Sequence, residues 1–63
     1  MRRYMVTEAS REFILHELNT YGSDRAAAGK EEKARQFAAA IAAIEGGGDE
    51  VFVEHMLYRV VED

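Results

Sequence analysis

Gly46-Gly47-Gly48-Asp49-Glu50-Val51-Phe52-Val53-Glu54-His55-Met56-Leu57-Tyr58-Arg59-Val60-Val61 is the stretch whose reading decides the fold. Before it, Ala34, Phe37, Ala38, Ile41 and Ile44 recur at helical spacing. Within it, Val51-Phe52-Val53 and Leu57-Tyr58-Arg59-Val60-Val61 are β-branched and aromatic runs. A hairpin turning at Glu54-His55 sets Val53 opposite Met56, Phe52 opposite Leu57, Val51 opposite Tyr58 and Glu50 opposite Arg59. Those are favourable cross-strand pairs. The turn lacks the Asn-Gly or Asp-Gly dipeptide that tight hairpins prefer. A third helix capped by Asp49, with Val53, Met56, Leu57, Val60 and Val61 on one side, is the alternative, and it would make a small three-helix bundle. The density of valine and aromatic residues favours the hairpin, over about residues 50–62. On either reading the three glycines act as a flexible hinge.

Working outward, the spacing predicts a helix over about 30–45, with Glu31 and Glu32 in its positive first turn and Glu31–Arg35 as a favourable i,i+4 pair. Residues 23–29 read as a loose connector on this view. The competing view is one helix from Asp24 to Glu45 that tolerates Gly29. An earlier helix is predicted over about 8–21, capped by Thr7 and ended by Gly22, with Ile14, Leu18 and Tyr21 on its apolar face. Arg2 to Val6 reads as a short strand, with Tyr4 and Val6 pointing one way and Arg3 and Met5 the other. The expected fold is therefore α+β in a single domain over 1–63: an N-terminal strand, two antiparallel helices and a C-terminal hairpin.

Length and composition narrow the chemistry. A chain of 63 residues buries only about 60% of the surface its unfolded form exposes, so its stability is marginal. It has no cysteine, which removes disulfides and thiolate metal sites as supports. The longest apolar run, Phe37 to Ile44, is far below the roughly 20 residues of a membrane span. The basic start has no apolar stretch of signal-peptide length, so a cytoplasmic location is expected.

Catalytic constellations are weak. Glu12 and His16 stand i,i+4, but a metal needs three or four ligands and only His55 remains as a further nitrogen donor. Ser10 and Ser23 read as helix-start residues. Gly29-Lys30 is followed by Glu31, not by the Ser or Thr of a phosphate loop. No enzyme, metal or cofactor is expected.

Charge is lopsided. The net value is −4, yet Glu45, Asp49, Glu50, Glu54, Glu62 and Asp63 stand against Arg59 alone in the last third. Such a surface repels phosphate backbones and attracts basic proteins. The expected function is a non-enzymatic acidic protein-interaction module. Glu50, Phe52, Glu54, Tyr58, Glu62 and Asp63 are its candidate partner-binding residues: aromatic anchors within a charged rim. A second copy docking through the Ala-rich helix is a further expected contact. The profile resembles that of small inhibitors from phages and mobile elements, anti-CRISPR-like inhibitors included, which block nucleic-acid-binding defence complexes. The alternative is a dimeric regulator or antitoxin. Residues 2–45 resemble ribbon-helix-helix repressors in organisation, which implies Arg2, Arg3 and Met5 as the DNA-reading strand. The acidic end argues against nucleic acid as the partner.

Overall fold

A computed structural model describes residues 3–62. Five elements follow in order: β1 (Met5–Ala9), α1 (Arg11–Ala27), α2 (Glu31–Glu45), β2 (Glu50–Val53) and β3 (Met56–Val60). The sheet order is β1-β3-β2, with β3 parallel to β1 and antiparallel to β2. The fold is the expected α+β arrangement, and residues 50–60 form two strands instead of a third helix. The hairpin register pairs Glu50 with Arg59, Val51 with Tyr58, Phe52 with Leu57 and Val53 with Met56, as the sequence indicates. No helix among the described residues is long and apolar enough to cross a membrane.

The first half of the chain departs from the sequence reading by about one helical turn at the start of α1 and nearly two at its end. Strand β1 runs over 5–9 because Thr7, Glu8 and Ala9 pair with Tyr58, Arg59 and Val60. Thr7 is therefore a strand residue, and Ser10 is the helix cap. Ser10 is extended (φ −66°, ψ 157°), and its Oγ accepts the Phe13 N–H at 3.2 Å. At the other end α1 passes straight through Gly22 and stops at Ala27, so residues 23–27 are its last turns and not a connector. The left-handed residue after that helix is Gly29, at φ 76°. Gly22 serves a different purpose: a Cβ there would lie 3.1 Å from Phe37 Cβ.

The helices run antiparallel, with Arg11 reaching Ile44 at one end and Gly22 against Phe37 at the other. The core is Ile14, Leu18, Phe37, Ala40, Ile44, Val53 and Tyr58. On α2 the buried stripe is 37-40-44. Ala38 from the expected face is exposed, while Ile41 is half-buried. Two neighbours select that stripe: α1 on one side and the sheet below, since α2 packs on both α1 and β2.

The glycine run is no loose hinge. The Gly46 N–H bonds to Ala42 O at 2.9 Å and the Gly48 N–H to Ala43 O at 2.9 Å. Arg11 Nη1 then donates to Ile44 O (2.7 Å) and Gly48 O (2.8 Å), and Nη2 to Asp49 Oδ1 (3.0 Å). One cation thus satisfies carbonyls at the negative end of α2 and fixes the entry to β2.

Gly22→Leu should destabilise the protein by about 1–3 kcal/mol in urea unfolding, because the added side chain must displace Phe37 from a filled core. An unchanged midpoint would mean that α1 and α2 are not held this closely.

Candidate interaction surface

Strand alternation divides the sheet into two faces. The inner rows are Met5–Met56–Val53 and Thr7–Tyr58–Val51, facing the helix layer. The outer face carries the other parity. One row crossing all three strands is Val6–Leu57–Phe52, and the next is Glu8–Arg59–Glu50. Both helices lie on the inner side, so no element among the described residues covers the outer rows.

The apolar row is open to solvent: Val6 is 51% and Phe52 58% exposed, with Leu57 half-buried between them. Tyr4, itself 53% exposed, meets Phe52 edge-to-face at 5.6 Å between ring centroids. Arg3, Tyr4, Phe52, Glu54, His55 and Leu57 line a shallow cleft of about 410 Å³ here. In the charged row Arg59 Nε donates to Glu50 Oε2 at 2.9 Å, and Nη1 reaches Glu8 Oε2 at 3.5 Å. These contacts, Glu50 foremost, raise the Arg59 pKa further.

The candidate partner-binding residues divide between the faces. Phe52 stands on the open face. Tyr58 does not: it is 1% exposed and lies in the core, because residue 58 pairs with 51 while residue 52 pairs with 57. Its hydroxyl donates to Met56 Sδ at 3.3 Å. Burial, with the Glu17 carboxylate next in weight, pushes the phenol up to about 12. Glu50 is tied to Arg59, and Glu62 Oε1 accepts the Arg11 backbone N–H at 3.1 Å. Asp63 lies outside the described residues, as does Arg2 of the alternative set. Arg3 lines the cleft, and Met5 is 69% exposed at the sheet margin. The β1 edge that a dimeric strand pair would share keeps one free side, the other being bonded to β3.

Glu54 is the most changed of the set. It turns the hairpin at φ 56°, an uncommon value for a residue with a side chain. Its carboxylate sits within 3.0–3.4 Å of Arg25 Nε and Nη2. Arg25 also donates to Asp24 at 2.9 Å and lies 5.6 Å from the Tyr21 and Phe37 ring centroids. The hydrogen bond from Arg25 holds the Glu54 carboxyl below its ordinary range, against the opposing effect of burial. A depressed native pKa means this contribution is present at neutral pH and is lost as acid carries the pH down through that value. Asp49, Glu54 and Glu50, three of the six acids in the last third, are thus paired with Arg11, Arg25 and Arg59. Arg11 and Arg25 carried no local signal of this role, since their partners lie 29 or more positions away. Tyr4 and Val6 did carry one: the strand reading points them the same way, with Tyr4 just ahead of β1 and Val6 within it.

Glu12 and His16 are exposed on α1. Among the described residues no group of three or more His, Asp or Glu side chains is placed to hold a metal ion. Compared with family models, curated proteins and solved structures, the chain matches none of them.

Alkaline unfolding should expose Tyr58. Its pKa is near 10 when unfolded and about 12 when folded, so its contribution is complete below pH 10 and is lost as pH rises toward 12. Two units correspond to about 3 kcal/mol. Chemical unfolding at pH 9 to 12 should show that loss, and Tyr58→Phe should flatten it. An identical pH slope in the variant would place the titrating group elsewhere.

Proposed function

We propose that this chain is a non-enzymatic binding module that works by covering the surface of another protein with the outer face of its sheet. One observation carries the reading: a sheet with its helices on one side leaves Val6, Leu57, Phe52 and Tyr4 as a joined apolar patch. Exposed apolar surface in a chain with so small a core opposes solubility unless something uses it. Aromatic and aliphatic anchors flanked by charge are how compact interfaces gain affinity. The Glu8–Arg59–Glu50 row sits beside the patch and carries one net negative charge. A net charge of −4 favours a basic partner and speeds encounter with it. Affinity then comes chiefly from the apolar row, because the carboxylates of Glu50 and Glu54 are engaged within the chain.

The test is capture from nuclease-treated lysate of the source or its host. Wild type is compared with Val6→Glu on the outer face and Glu12→Lys on α1, with circular dichroism confirming that all three fold. The expected result is a protein held stoichiometrically by wild type and by Glu12→Lys, and weakened by about tenfold or more by Val6→Glu. Equal retention by Val6→Glu overturns the proposed surface. Retention of no protein, with DNA recovered when nuclease is omitted, overturns the function in favour of a nucleic-acid regulator.

A further inference from the structure

The open face of the sheet changes character along its strands. Its centre is the apolar row Val6–Leu57–Phe52. Beyond Thr7 and Tyr58 lies the Glu8–Arg59–Glu50 row, which carries one net negative charge. Toward the hairpin turn the face ends in the cleft that Arg3, Tyr4 and His55 help to line. Arg3 has no ion-pair partner among the described residues. Glu54 adds no free charge to that cleft, because its side chain is 15% exposed and its carboxylate is held by Arg25. An apolar centre thus separates a positive end from a negative end.

A face of this kind is complementary to itself. A two-fold axis lying along the central row brings the apolar rows of two copies together and reverses the strand direction. Residue 4 of one copy comes level with residue 8 of the other, so Arg3 and Tyr4 of each face the other's Glu8. Glu54 comes level with Glu50, and both of those carboxylates are already engaged within their own chains, by Arg25 and Arg59. The other in-plane axis, along the strands, does the opposite. It lays Arg59 on Arg59 and Glu8 on Glu50, and stacks two rows of net negative charge. Charge therefore selects the axis that crosses the strands. The helices of each copy stay on the outside, with the two sheets about 10 Å apart.

Resting on the reading of this face as the binding surface, we infer that a second copy of this chain occupies it. The product is a reversible two-fold dimer of packed sheets, which must part before the same face can cover another protein. Three strands about 4.8 Å apart, each about five residues of 3.3 Å, make a face of roughly 14 by 17 Å. An interface that small belongs to the transient class and not to permanent assemblies.

Sedimentation equilibrium and methyl NMR of the full chain, from about 10 µM to 1 mM, make the test. A monomer–dimer equilibrium is expected, with concentration-dependent shifts of the Val6 and Leu57 methyl groups. Arg3→Glu should weaken dimerisation by about tenfold or more, and so should Glu8→Arg. The two exchanges in one chain should restore it, with circular dichroism showing that every variant folds. Net charge alone predicts a different pattern. Glu8→Arg makes the chain less negative, so it would then associate more tightly than wild type, and that result overturns the inference. So does a chain that stays monomeric throughout, or a double exchange that fails to restore the dimer. A dimer whose shifts are confined to Ala38 and Ala42 of α2, or to the free strand edges, overturns it as well. A monomeric chain leaves the lysate comparison standing, whereas a dimer that captures no protein from lysate overturns the proposed function alone.

Discussion

Everything in this fold depends on β3 having a neighbour on each side. The hairpin supplies β2 from nearby in the sequence, but β1 must be brought back from 51 residues away and laid parallel. A parallel pair cannot be closed by a tight turn. It needs a crossover, and here the crossover is the whole helical pair. That requirement puts both helices on one side of the sheet. It also fixes the position of the open face, because both helices are then committed to the inner side and none of the described elements lies on the other.

The three arginines are best understood as fasteners for that crossover. Arg11 joins the start of α1 to the end of α2 and the entry to β2. Arg25 joins the end of α1 to the hairpin turn. Arg59 ties the outer row of the sheet across both strand boundaries. Arg11 and Arg25 reach acids 29 or more positions away in the region that reads as negative, while Arg59 joins its hairpin neighbour Glu50 to the distant Glu8. Half of the acids in the last third are therefore matched by cations from α1 and β3, while Glu45 and Glu62 have no ion-pair partner among the described residues. What remains on the surface near the hairpin is more apolar than the sequence suggests.

How much of this was legible depended on the range of the interactions. The hairpin register was readable because Glu50–Arg59 and Phe52–Leu57 are local pairs that agree with one another. The end of α1 was not, because both Gly22 and Gly29 can stop a helix, and the choice rests on Phe37 packing against Gly22. Likewise Thr7 and Ser10 are both competent caps, and only the pairing of residues 7–9 with β3 selects Ser10. At the candidate surface, alternation alone separates Phe52 from Tyr58, a signal that the sequence itself contains. Which parity turns inward was not readable, since Val51, Val53 and Tyr58 on one side match Phe52 and Leu57 on the other in apolar character. The helix layer decides that, and its placement is a property of the whole chain.

The parallel pairing of β1 with β3 has a practical corollary for anything attached to this protein. Parallel strands begin at the same end of the sheet and finish at the same end. The approach to β1 through Tyr4 thus lies beside the hairpin turn and the Tyr4–Phe52 contact. The exit past Val61 lies at the opposite end, near Arg11. A label or fusion partner joined ahead of β1 would crowd the apolar cleft, whereas one joined after β3 would leave it accessible. Immobilisation chemistry for this chain therefore has a preferred polarity, set by strand direction.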